Sequence, residues 1–255
     1  MPQKVHLSIH IEATTGTSFL AQLGKIYGAD HVLHYNNQHK KLIRLSEIPV
    51  TPAQSVIQSG KKLLTKTPLI NKVFPEITGQ SSEESLWLDL DEIPEDTEVI
   101  HGHFTPDLFD GTFENIFLTL VLREPLERMV KQYRQWKRNQ GQVDWRVTVP
   151  FDSDLPFREY AFLKEYRNYQ SKYLGDKRLG DFDIVGVTEH LDIHLCQLRC
   201  EDWSEIPIQV KKPDYDRYLD DKKLDLDQEW LEEFQEYHEK DYYIYTQAKE
   251  FMGYI

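Results

Sequence analysis

Residues 4–27 read KVHLSIHIEATTGTSFLAQLGKIY, and this stretch decides the fold. Val5, Leu7, Ile9 and Ile11 alternate with polar residues, which predicts a strand with one face more buried than the other. From Thr17 to Tyr27 the period changes, and Phe19, Leu20, Leu23 and Ile26 fall on one side of a helix. Between strand and helix lies a turn of small and hydroxylated residues, Ala13-Thr14-Thr15-Gly16-Thr17-Ser18. A strand that turns into a helix N-terminus presents unpaired backbone N–H groups and the positive end of the helix dipole, which together favour a bound anion. Gly16 permits close backbone approach, and Thr17 and Ser18 add hydroxyl donors. The turn lacks the lysine of the G-x-x-x-x-G-K-[ST] loop. It equally suits a plain helix N-cap, with Thr14, Thr15 or Thr17 as the capping residue.

The strand–turn–helix pattern recurs along the chain. His31 to Tyr35 reads as a short second strand and Thr97 to Phe104, TEVIHGHF, as another. Ile116 to Leu122, IFLTLVL, is the continuous apolar, β-branched run of a strand buried on both faces. Pro125 suits the first turn of a helix running to about Asn139. Pro156 to Leu174 reads as a long helix, Phe182 to Val187 as a buried strand, and Glu189 to about Glu201 as a further helix. The segment 226–252 reads as helical and aromatic-rich. Residues 42–95 break the pattern. They are expected to form a partly irregular insertion, with Thr51 capping a helix-like QSVIQSGKKLL. Alternating strands and helices imply one α/β domain over 1–255, with a doubly wound, mostly parallel sheet and helices on both faces. Ligands of such sheets sit at the carboxyl ends of the strands.

Composition narrows the function. A chain of 255 residues with 40% hydrophobic content can bury one sizeable core. A net charge of −13 argues against general nucleic-acid binding, which needs a basic face. The first residues carry no apolar signal region and no apolar run is long enough to span a bilayer, so a soluble, cytoplasmic chain without membrane contact is expected. Two cysteines, Cys196 and Cys200, are too few for a disulfide framework and read as buried free thiols.

The stretch from Arg123 to Arg138 holds six basic and two acidic residues, a local excess of positive charge in an acidic chain. Arg128, Lys131, Arg134 and Arg138 are spaced to share a helix face, as a solvated basic face would be. Arg123 is different. It stands at the end of the buried strand, where an anion bound between it and the first turn of the following helix would account for it.

At this point the sequence resembles a family. HIEATTGTSF, residues 10–19, is similar to the first phosphosulfate-binding loop of the carbohydrate sulfotransferases near the uronosyl 2-O-sulfotransferases, H-I-P-K-T-[AG]-G-T-S. LREPLERMVKQY, residues 122–133, is similar to their second element, L-R-[DE]-P-x-x-R-x-x-S-x-Y. Three weaker echoes follow the family's order: His101-Gly102-His103 for an HGH segment, Asn168 to Leu174 for N-x-Q-T-[RK]-x-L, and Val185 to Glu189 for V-G-x-[TS]-E. The resemblance implies a P-loop-like sulfotransferase fold and the donor 3′-phosphoadenosine 5′-phosphosulfate (PAPS). The first loop, Thr14 to Ser18, would hold the 5′-phosphosulfate. Arg123 would hold the 3′-phosphate with Lys131 beside it, and the segments around Asn168–Leu174 and Thr188-Glu189 would lie near nucleotide or acceptor.

Two departures stand out. Ala13 occupies the position of the family's lysine and Lys131 that of its serine. Either Lys131 has taken over the missing cation's work on the leaving phosphate oxygen, or the chain binds the nucleotide without turning it over. Lys25, two turns down the helix, points away from the loop. Sulfuryl transfer also needs a base for the acceptor hydroxyl. His101 and His103 lie two apart on a strand and share a face, and the resemblance puts the base in this pair, His103 slightly ahead of His101. A zinc pair lacks further ligands, so no metal is expected; a histidine merely hydrogen-bonded at the strand end is the other reading. His6, His10, His31, His34 and His39 read as surface or strand-end residues, with His10 also a weak candidate for contact with the phosphate.

Asp214 to Asp241 carries twelve acidic and four basic residues, which would repel a sulfated acceptor. It reads better as a solvated helix face backed by Trp230, Phe234, Tyr237 and Tyr242. The expectation is a PAPS-dependent sulfotransferase acting on a hydroxyl of a carbohydrate or other small acceptor. A non-catalytic bisphosphonucleotide-binding protein is the alternative. A nucleoside-triphosphate kinase is disfavoured because no G-K-[ST] follows the first strand.

Overall fold

In the computed structural model, six strands form one sheet in the order β3-β2-β4-β1-β5-β6. The structure describes residues 4–14, 16–37, 39–48, 86–139, 150–191 and 226–251, with isolated positions 198, 224 and 253. The strands are β1 (Lys4–Ile9), β2 (Val32–Asn36), β3 (Lys41–Arg44), β4 (Val99–Gly102), β5 (Asn115–Leu122) and β6 (Ile184–Val187). All neighbours pair in parallel except β2 and β3. The α-helices are α1 (Gly16–Tyr27), α2 (Pro125–Arg138), α3 (Phe157–Tyr160), α4 (Gln228–Tyr237) and α5 (Glu239–Phe251). The architecture is thus a mostly parallel α/β sheet. Among the described residues no helix is long and apolar enough to cross a membrane.

Strand alternation explains how both faces are covered. Val5, Leu7 and Ile9 of β1 and Leu118, Leu120 and Leu122 of β5 join Met129 and Val130 of α2 in one core. Val32, Val99 and Val121 point the other way and pack with Phe19, Leu20 and Leu23 of α1 in a second. β5 is therefore apolar on both sides apart from the buried Thr119, which is why IFLTLVL shows no regular polar alternation, whereas β1 turns its polar His6 and Ser8 to the second face. Glu124 caps α2 by accepting a hydrogen bond from the Glu127 backbone N–H at 2.7 Å, and Pro125 fills the first turn.

Connections from β1 and β5 leave these neighbouring strands in opposite directions, toward β2 and toward β6. The crevice at their carboxyl ends is thus a topological switch point, the usual ligand position in such sheets. Gly102 lets β4 pass close to β2 at its end. A Cβ there would lie 2.6 Å from the Tyr35 carbonyl oxygen and 2.9 Å from its Cβ. Gly102→Ala is therefore expected to destabilise the protein by about 1–3 kcal/mol, seen as a lower urea midpoint.

Several expectations need correction. Residues 42–44 of the expected insertion belong to β3, and Leu88 forms a bridge to Leu42; the helix expected after Thr51 lies outside the described residues. The long helix expected over 156–174 is one α-turn, α3, followed by turns and a 3-10 segment at Ser171–Leu174. Asn168 takes a left-handed φ of 51°, and the Asp241 carboxylate accepts the backbone N–H groups of Gln170 and Ser171 at 3.0 and 2.8 Å. A carboxylate 70 residues away does what helical carbonyls would otherwise do. The tail is two helices with a break at His238, where Trp230 and Phe234 are buried and Tyr237 and Tyr242 half-buried. Thr188–His190 is a 3-10 turn; the helix expected beyond it, with Cys196 and Cys200, lies outside the described residues.

Candidate functional site

The site forms where the β1–α1 loop meets the ends of β4 and β5. Register builds its first part. Ser8 pairs with His101, and His101 with His34, so the three side chains share one face of the sheet. Two residues further along β1 and β4 come His10 and His103. Their rings therefore sit together, 4.4 Å apart, with the His10 ring also stacked on His101 at 5.4 Å. The result is a cluster of four histidines, His10, His34, His101 and His103. His10 stands at the end of β1 as expected, His34 lies within β2 and joins it in this cluster, and the surface reading of His6 is corrected, since His6 is buried with its Nε2 2.8 Å from the Thr119 hydroxyl. The signal was present in the sequence as H-x-H spacing on one strand and polar alternation on its neighbour, but only pairing register brings the two together.

Within the cluster the histidines differ. His101 is buried, with Nδ1 2.9 Å from the Ser8 hydroxyl. His34 Nδ1 lies 3.2 Å from the His101 carbonyl oxygen, and burial and then the His103 charge lower its pKa to about 4. Burial first, then the charges of His103 and His101, also hold His10 well below its ordinary value. His103 lies just past β4 with its side chain 18% exposed. Its Nδ1 is 2.8 Å from the His10 carbonyl oxygen. A carbonyl only accepts, so Nδ1 carries the proton and the neutral ring holds its lone pair on Nε2. That tautomer suits a general base.

The second part of the site is cationic. Arg123 leaves the end of β5 and donates through Nη1 to the Ala13 carbonyl at 3.1 Å and through Nε to the Glu127 carboxylate at 3.2 Å. Lys131, two turns into α2, donates to the Thr14 carbonyl. Both cations thus converge on consecutive carbonyls of the β1–α1 loop. Burial and then the Arg123 charge lower Lys131 to about 7. The anion position expected at the first turn of α2 is corrected: the Glu124 carboxylate already caps that turn. The cations turn to the loop instead. The shared basic face is corrected too, because Arg128 is buried against the Tyr169 ring at 4.8 Å while Arg138 is exposed.

Loop residues divide as follows. Thr14 is buried, and its hydroxyl donates to the Ile11 carbonyl at 2.8 Å, so it shapes the turn rather than capping the helix. Ala13 is buried and left-handed, with φ 65°. Gly16, Thr17 and Ser18 form the first turn of α1; their side chains, and Thr15, lie outside the described residues. Gln170 ties its side-chain amide to both backbone groups of Arg123 at 2.9 and 2.8 Å. Tyr169 and Tyr173 donate to the Glu12 carboxylate. The 168–173 segment is therefore a strut joining the ends of β1 and β5, held from behind by Asp241. Glu189 accepts from Tyr245 and from Thr188, and its charge raises both Glu124 and Glu127 after the larger effect of their burial. It belongs to the surroundings of Arg123.

Among the described residues no group of three or more histidine, cysteine or acidic side chains could hold a metal ion. The chain matches no protein-family model and no curated protein.

Proposed function

We propose that the protein is a PAPS-dependent sulfotransferase acting on a hydroxyl of a carbohydrate or other small acceptor, with Arg123 and Lys131 binding phosphate and His103 as base. One observation carries the reading: Lys131 reaches across from α2 to the loop position next to Ala13, beside Arg123, at the switch point of the sheet. A cation missing from the first element is supplied by the second. The donor set also fits an anionic nucleotide, since two cations rest on backbone carbonyls that phosphate oxygens can replace as stronger acceptors.

When bound, the donor supplies the sulfuryl group. The chain's own residues do the rest. His103 Nε2 takes the acceptor's hydroxyl proton as the acceptor oxygen forms its bond to sulfur. Lys131 would face the charge that builds on the leaving phosphate oxygen, which keeps the electron pair of its broken bond to sulfur, and Arg123 would hold the 3′-phosphate. Gln170 holds the Arg123 backbone in place during this change.

A thermal-shift series with 3′-phosphoadenosine 5′-phosphate, AMP and ATP–magnesium tests the reading. A ligand of the native state stabilises by RT ln(1 + [L]/Kd), about 2.7 kcal/mol at a hundredfold excess over Kd. Stabilisation by the bisphosphate alone is expected. No shift would remove the cofactor assignment, and a shift with ATP–magnesium would point to a nucleoside-triphosphate enzyme. The buried Ala13 favours a second reading, a non-catalytic bisphosphonucleotide-binding protein. It shares the shift but shows no transfer of labelled sulfate to any acceptor.

A further inference from the structure

Glu12 stands directly before Ala13 in the loop and is buried. One carboxylate oxygen, Oε2, accepts from the hydroxyls of Tyr169 at 2.9 Å and of Tyr173. The other, Oε1, is buried without a hydrogen-bond partner and lies 3.6 Å from His103 Nδ1. The tyrosines thus fix the carboxylate and aim its open oxygen at the N–H edge of the histidine ring.

We infer that Glu12 is a positioning residue for His103, holding the ring's orientation and stabilising its imidazolium as the acceptor proton arrives on Nε2. The pairing itself is geometric; only the reaction it serves rests on the sulfotransferase reading. Proton uptake on Nε2 puts a positive charge on a ring that already presents Nδ1–H to the His10 carbonyl and to Glu12. An unpartnered carboxylate oxygen within 4 Å favours that charge and costs no rearrangement when it forms.

The other groups around the ring do not replace it. His10 comes from the same loop and packs on the ring, His34 of β2 feels its charge, and His101 of β4 and Lys131 of α2 act on His10 behind it. Each of these is neutral or cationic, and their charges oppose the imidazolium. Tyr169 and Tyr173, from the 168–173 strut, face Glu12 as donors. Burial pushes the Glu12 carboxyl up, but the His103 charge and the tyrosine hydroxyls hold it net below its ordinary value, so it is ionised when the ring needs it.

The test is an NMR titration of the His103 ring in the ligand-free protein, in the unaltered chain and in Glu12→Gln and Glu12→Asp. In Glu12→Gln, which removes the neighbouring negative charge, the ring is expected to titrate at a lower pH, while Glu12→Asp, which keeps the charge, stays nearer the unaltered protein. The acid limb of the pH–rate profile should move with it. A variant that loses stability but leaves the titration in place would reduce Glu12 to a packing residue and overturn the inference. If Glu12→Gln does not fold, the Glu12 Cδ resonance of the unaltered protein is followed instead. It should move as the ring titrates, and a flat response through that step overturns the pairing. The titration needs no nucleotide. Its failure therefore sinks the pairing alone, whereas a failed bisphosphate shift sinks the sulfotransferase reading and leaves the pairing standing.

Discussion

Lys131→Ala is expected to lower sulfuryl transfer by a factor of about 10²–10³, the usual loss when a donor aimed at developing charge is removed. Thermal stability should not fall with it. Burial and the Arg123 charge bring the Lys131 pKa in the fold to about 7, from 10.5. Between those values the unfolded chain binds more protons than the folded one, so stability rises with pH across that window, and below about 7 the buried ammonium opposes folding in full. The alanine variant should lose this rise, which a series of melting temperatures from pH 6 to pH 9 would show. Ligand affinity has the opposite slope. Above about 7 the free protein must take up a proton at Lys131 to bind the anion, so affinity for the bisphosphate should fall with pH, by at most tenfold per unit for one proton. Lys131→Arg keeps its charge throughout, so its affinity should stay level where that of the unaltered protein declines. Unchanged turnover in Lys131→Ala would end the idea that this residue stands in for the missing loop cation.

Local pattern made the strands and the two main helices legible, because β5 and α2 depend on short-range features: a β-branched apolar run, a proline at the first turn, a carboxylate cap. What stayed hidden depends on partners distant in sequence. Residues 156–174 carry aromatic residues that suit a helix, yet Tyr160, Tyr166, Tyr169 and Tyr173 are all buried, which no single helix face could do. Their turn-rich path is stable because Asp241 and His238 take up its backbone groups. The site divides in the same way. Arg123 was visible as a cation at the end of a buried strand, and Lys131 as a gain opposite a loss. Glu12 carries no signal of its own in the sequence, since its meaning lies in Tyr169, Tyr173 and His103, up to 161 residues away. His10 and His34 were set aside because strand register, rather than sequence spacing, places them beside His103.

Arg123→Ala should abolish stabilisation by the bisphosphate and also weaken the fold, and the two effects can be separated. The guanidinium holds the Glu127 carboxylate at 3.2 Å, with both side chains largely buried. Removing it strands that carboxylate in the interior, a change that typically costs about 3–5 kcal/mol. Burial already raises Glu127 above its ordinary pKa, against the pull of Arg123; without that pull it rises further. A carboxyl whose folded pKa is raised binds its proton more tightly in the fold, so its contribution is present at acid pH and is lost as pH rises through the raised value. The variant should therefore lose less stability at pH 5 than at pH 8, as read from urea midpoints. Glu127→Gln in the same chain removes the stranded charge and should restore most of the lost stability. It should not restore binding, because the phosphate then still lacks its planar, two-pronged donor. A double variant that binds the bisphosphate as tightly as the unaltered chain would take Arg123 out of the site and reduce it to the ion-pair partner of Glu127.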